Sequence, residues 1–187
     1  MTMLRDGLLD GRGVAVAGGV AGSVRDALVA LGASVKELDG SLDEEAARVW
    51  AEEAGSLYAL VYDAGPAFAG GGQAALRSCI EAGWVAVRGV ATGALIPAHA
   101  GKVVLIAPRT DSGSFAAAAR AAFENVARTL SVEWARYGVG TVTIAPGART
   151  SDDQLAELVC YLVSHAGEYF TGCMLELGSS SVVRSGP

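Results

Sequence analysis

The fold turns on Val14-Ala15-Val16-Ala17-Gly18-Gly19-Val20-Ala21-Gly22. A short apolar run leads into a cluster of glycines, after which Val24, Leu28 and Leu31 recur at helical spacing up to Gly32. The reading is strand, glycine turn, helix. Such a turn lets backbone N–H groups and the following helix terminus approach a phosphate, so Gly18 and Gly22 point to the pyrophosphate of a dinucleotide. A tight turn that simply needs small residues accounts for them equally well, because Val24 stands where a further glycine would complete the fingerprint.

Outward from that stretch the pattern alternates. Ser34 to Leu38 reads as a second strand, and Asp43-Glu44-Glu45 opens an amphipathic helix whose acidic first turn suits the helix dipole. Leu57 to Tyr62 is the next strand. Gln73 to Ala98 is helical, with breaks expected near Gly83 and Gly89, and Val103 to Ile106 is a buried strand. A long helix is expected from Ser114, as N-cap, to Tyr137, with Phe115, Ala119, Phe123, Val126, Leu130 and Trp134 on its apolar stripe. Val139 to Ile144 is a strand, Asp152 to Ser164 a helix and Cys173 to Leu177 the last strand. Strands alternating with helices of this length imply one α/β domain over 1–187, a Rossmann-type doubly wound parallel sheet of about six strands in three αβα layers.

Composition narrows the function classes. The chain of 187 residues is 51% hydrophobic and 18% charged with 25 glycines, and its mean hydropathy is +0.37, as expected for strands buried on both faces. A formal net charge of −6 opposes the phosphate attraction that drives nucleic-acid binding. No apolar run approaches the roughly 20 residues of a membrane span, so a soluble, cytoplasmic protein is expected. Cys79, Cys160 and Cys173 are odd in number and far apart, and His99 and His165 are isolated, so buried inert thiols and no metal site are expected.

The second half of the chain resembles the short-chain dehydrogenase/reductase superfamily. The resemblance rests on Gly101-Lys102-Val103-Val104-Leu105-Ile106, on Asn125 through Thr150 with Arg128-Thr129-Leu130-Ser131-Val132-Glu133-Trp134-Ala135-Arg136-Tyr137-Gly138 at its centre, and on Ala145-Pro146-Gly147. Ala64-Gly65 and Tyr169-Phe170-Thr171-Gly172 complete an ordered set. It implies a serine after the fifth family strand and a Tyr-x-x-x-Lys pair on the next helix. Here the serine position falls on Ala107 or Pro108, the tyrosine on Ala116 and the lysine on Arg120. An alanine transfers no proton, and a positioned acid or base is worth about 10²- to 10⁴-fold in rate. No catalytic residue is therefore assigned.

Where the family has paired asparagines before Ala-Gly, this chain has Tyr62-Asp63. It also looks shortened after Leu38, where a strand and a helix are missing, between Ile106 and Phe115, and after Pro146-Gly147. The expected cofactor-side residues are Gly18, Gly22, Asp39, Ala64 and Gly65, with Asp39 placed about 20 residues past the turn to accept from a ribose. No cofactor is expected on the chain alone, and NAD(P) if the cleft is intact. Asp111, Ser112 and Ser114 form a cluster that reads as turn and N-cap rather than as a proton relay.

In the family the long helix and its predecessor pair across a dimer. The alanine-rich start of the helix, Ala116 to Ala122, leaves its other faces small and apolar, and Ala118, Ala122, Phe123, Val126, Leu130 and Trp134 are the expected interface. The resulting expectation is a non-catalytic subunit that pairs with, and supports, a catalytically complete short-chain dehydrogenase, or with a second copy of itself. The alternatives are an active NAD(P)-dependent oxidoreductase in which Arg120, Tyr62 or the Asp111 loop supplies the chemistry, and a small-molecule-binding module using the old cleft.

Overall fold

A computed structural model describes residues 4–178. The apolar run at the start becomes β1 (Gly13–Ala17), buried along its whole length, and the chain continues through α1 (Gly22–Ala30), β2 (Ser34–Glu37), α2 (Glu44–Glu53), β3 (Ala59–Asp63), α3 (Gln73–Val90), β4 (Gly101–Ile106), α4 (Ala116–Glu133), β5 (Val139–Pro146), α5 (Asp152–Val163) and β6 (Met174–Leu177). All pairings are parallel and the order is β2-β1-β3-β4-β5-β6. Val14 pairs with both Val35 and Ala59, and Val104 with Val61 and Val142, so the sheet's centre is a ladder of small and β-branched residues. The Rossmann-type three-layer fold and the six strands are as expected from the sequence.

Two cores lie on the two faces. One joins the sheet to α2, α3 and α4 through Leu60, Tyr62, Val87, Phe123 and Leu130. The other joins it to α1 and α5 through Val16, Leu28, Ile144 and Val159. α1 carries the chain from β1 towards the β2 edge, whereas α5 carries it from β5 towards the opposite edge, yet both pack on the same face and on each other. The α5 crossover therefore has the opposite hand to that of α1. Right-handed crossovers account for about 98% of parallel connections, so this is a specific topological signature.

Several boundaries differ from the sequence reading. The helix after Gln73 runs unbroken through Gly83 and Gly89 to Val90, where a wider π-helical turn (Ala91–Leu95) follows. These glycines serve close approach: a Cβ on Gly89 would sit 2.5 Å from Ala47 Cβ on α2, and one on Gly83 would sit 2.9 Å from the Tyr62 ring. Ser114 does not cap α4. Phe115 holds that position without a side-chain hydrogen bond, because Gly113 crosses Gly71 backbone to backbone and the Phe115 N–H donates to Gly71 O at 3.3 Å. Asp43 does cap α2, accepting from the Ala46 N–H. Ser151 and Gln154 form a capping box on α5.

Candidate functional site

Strand order positions the site. From β1 the sheet runs to β2 on one side and to β3 on the other, and a crevice opens at the carboxyl ends where the direction reverses. The glycine turn lies there. Gly18 and Gly19 both have φ +79, and a Cβ on Gly18 would sit 2.2 Å from Asp63 O and 2.8 Å from the Tyr62 ring. Gly18 is thus required by its own neighbours. A Cβ on Gly22 would meet nothing within 4 Å. Ala21 gives α1 no side-chain cap and the first turn holds no acidic residue, which leaves a helix N-terminus with its partial positive charge uncompensated.

Two cavities flank the turn. One of about 640 Å³ lies between β1, the segment after β2, and α3, and includes Gly18, Asp39, Leu42, Tyr62 and Val85. The other, about 530 Å³, includes Gly19, Ala21, Asp63, Gly65, Arg109 and Asp152. The structure thereby brings together Gly18 and Asp39 in one cavity and Gly65 in the other, with Gly19 common to both. Ala64 is fully buried in the core on the α2, α3 and α4 face and lines neither cavity. Gly22 lies beyond Ala21 at the start of α1.

Asp39 is exposed, and its carboxylate accepts from Ser41 N–H at 2.9 Å. The Ser41 N–H and hydroxyl hold it below the usual carboxylate range. Asp63 is in the opposite situation. Burial at the end of β3 pushes its pKa up to about 6, against the Gly65 N–H that donates to it at 2.8 Å and the more distant Arg109. Arg109 is committed elsewhere: it donates to Gly147 O and Thr150 O at 3.2 and 2.6 Å and pairs with Asp152 at 3.1 Å. It thereby ties the β4–α4 loop to the loop before α5.

The positions that the resemblance assigns to catalysis carry no acid or base in a free state. Ala107 and Ala116 are each 1% exposed and Pro108 is buried. Arg120 is also buried, and its guanidinium donates to Pro146 O at 2.8 Å, Pro108 O at 3.1 Å and Ala145 O at 3.4 Å, with Glu176 at 4.0 Å. It closes the ends of β4 and β5 as a staple. Tyr62 donates its hydroxyl to Cys79 O at 3.0 Å, and burial raises its pKa further. Ser112 donates to Arg109 O within its own turn, and Asp111 is exposed on the loop.

The expected interface stripe divides. Phe123, Leu130 and Trp134 are buried in the chain's own core, where Phe123 meets Tyr62 with ring centroids 6.1 Å apart. These three are corrected from partner contacts to core residues, since the helical period turns them to the sheet. Ala118 is exposed, and Ala122 and Val126 are half-buried. The last two face a shallow apolar groove shared with Ile80, Trp84 and Val87 of α3. Trp84 is 42% exposed, and Phe115, at the start of α4, 38%. Cys79 and Cys160 are buried and Cys173 half-buried.

Spacing along the chain gave no sign of Arg109, whose partners lie 38 to 43 positions away, or of Lys102, whose buried ammonium donates to Gly167 O at 2.9 Å and to Phe170 O. Asp63 was visible only as a departure from a family motif. Among the described residues no group of His, Cys, Asp and Glu is placed to hold a metal ion, and no helix is long and apolar enough to cross a membrane.

No protein-family model and no curated protein matches this sequence. Solved structures do match. The citronellol catabolism dehydrogenase of Pseudomonas aeruginosa superposes with a TM-score of 0.75 at 24% identity, over 94% of this chain and 97% of that one. A hydroxysteroid dehydrogenase of Escherichia coli gives 0.75 at 19% identity over 92% and 97%, and the E. coli protein BdcA 0.70 at 19% over 91% and 100%. The chain shares the fold of these proteins, as expected from the resemblance to short-chain dehydrogenases.

Proposed function

We propose that this chain is a non-catalytic member of the short-chain dehydrogenase group, which pairs with a catalytically complete dehydrogenase in the cytoplasm and supports it. The observation that carries the reading is Arg120. A general acid needs a proton it can release near neutral pH, whereas this guanidinium stays protonated and is held by the carbonyls of Pro108, Ala145 and Pro146. With Ala116 buried one helical turn before it, the cleft lacks a proton relay at that place.

Pairing is supported by the α3–α4 face. Ala118, Ala122 and Val126 allow close helix approach, and Trp84 supplies the kind of large aromatic that anchors interfaces. A second copy of this chain is the competing occupant. A second reading, a small-molecule-binding module, is favoured by the two cavities, and on that reading NAD(P) is a candidate only if the cleft admits it.

Native mass spectrometry of the protein purified gently from its source tests the proposal, with Trp84→Glu as the companion variant. The expected result is a mixed assembly with a larger dehydrogenase that Trp84→Glu disrupts. The isolated chain is expected to show no NAD(P)-dependent turnover. A homo-oligomer of this chain that turns over a carbonyl or alcohol with NAD(P) would overturn it.

A further inference from the structure

The fold family implies a dinucleotide, and the donors around the glycine turn fit it only in part. The nucleoside half fits: the cavity of about 640 Å³ has an apolar wall from Leu42 and Val85, with Asp39 as a carboxylate acceptor. The pyrophosphate half does not. A dinucleotide on this fold places its two phosphate charges at the amino end of the helix after the first strand, and here that helix end opens on a cavity that also contains Asp63.

The charges facing Asp63 come from each neighbouring element. The β4–α4 loop contributes Arg109 and Asp111 and α5 contributes Asp152. Arg109 is neutralised by Asp152 at 3.1 Å and hydrogen-bonded to two carbonyls. From α1, the guanidinium of Arg25 pairs with Glu37. The Gly65 N–H, which lines the same cavity after β3, is already donated to Asp63. What remains for an anion is the α1 terminus, about half a positive charge, against a full negative charge on Asp63 in a half-enclosed site where screening is weak.

We infer that Asp63 sets this cleft against anionic dinucleotides, so that NAD(H) and NADP(H) are rejected by charge although the glycine turn and the nucleoside cavity are in place. The inference deepens the non-catalytic reading and rests on it in taking this crevice as a former cofactor site. Asparagine at the same position keeps an acceptor for the Gly65 N–H and removes the charge.

The test is titration of the full chain and of Asp63→Asn with NADH and with NADPH, followed by ligand fluorescence, at about pH 8 and about pH 5. At pH 8 the variant is expected to bind NADH roughly 10- to 100-fold more tightly than the parent chain, the range for removing a like charge from an interface. The parent is expected to tighten as the pH falls through about 6, where Asp63 gains its proton, and the variant to change little. The parent's own pH profile keeps the test decisive if the variant folds poorly. Equal affinity of both proteins at pH 8, or no binding by either at both pH values, overturns the inference. Turnover by the parent chain is a separate readout: it would sink the non-catalytic reading and leave the comparison of affinities to stand or fall by itself.

Discussion

Replacing Asp63 by asparagine should stabilise the folded chain, and by an amount that depends on pH. Burial raises the carboxyl's pKa from an ordinary 3.8 to about 6. Between those values the folded state binds more protons than the unfolded state, so the carboxyl's contribution to stability falls as pH rises and is at its least favourable above about pH 6. The difference between the two pKa values corresponds to about 3 kcal/mol at pH 8 and about half of that at pH 5. Asparagine escapes this cost, loses only a weak attraction to Arg109, and can still accept from the Gly65 N–H that now donates at 2.8 Å. The net expectation is about 2 to 3 kcal/mol of added stability at pH 8, about 1 kcal/mol at pH 5 and little at pH 4.

Urea unfolding of both proteins at a series of pH values, followed by far-ultraviolet circular dichroism, reads this directly through the midpoint at constant slope. The diagnostic is the pH trend, because a generic packing gain from the amide would be the same at every pH. A variant that is less stable at pH 8, or that differs equally at pH 5 and pH 8, would refute the assignment of a half-buried, poorly compensated charge to the end of β3.

Two other substitutions test the packing. Arg120→Ala removes three carbonyl contacts and is expected to cost about 2 to 4 kcal/mol in the same urea assay, with Arg120→Lys intermediate because an ammonium cannot span the ends of β4 and β5. Gly89→Ala should gain up to about 1 kcal/mol of helix propensity yet destabilise by about 1 to 2 kcal/mol net, since its Cβ would lie 2.5 Å from Ala47 Cβ and force α2 off α3. A thermal midpoint at or above that of the parent would show that the two helices are not in the contact described.

What was legible in the sequence was periodic or punctuated. The run from Val14 to Leu31 declares β1, the turn and α1 by itself, and Asp43 marks a helix start through a short-range hydrogen bond that actually forms. Gly83 and Gly89 misled because a glycine in a helix reads as a break when its neighbour in space is unknown. Their partners, Tyr62 and Ala47, lie 21 and 42 positions away. Ser114 misled in the same way: a favourable capping residue was overridden by the Gly71–Gly113 crossing. Phe123, Leu130 and Trp134 were correctly placed on one apolar stripe, but a stripe does not say whether it meets the chain's own sheet or a partner. The reversed hand of the α5 crossover left no trace in local pattern at all.

The candidate site obeys the same division. A crevice at the carboxyl ends of β1 and β3 follows from strand order alone, so its presence carries no information about ligand or reaction. The glycine turn adds little more, since Gly18 is demanded by Asp63 O and the Tyr62 ring whether or not a phosphate ever approaches. Information enters with side chains that the fold does not require. Arg120 is spent on the backbone carbonyls at the ends of β4 and β5, whereas the Asp63 carboxyl sits at the end of β3 where burial disfavours its charge. A fold tolerates a carboxylate partly withdrawn from water less readily than a buried alanine, so half-buried Asp63 is a residue in this cleft that packing alone does not explain.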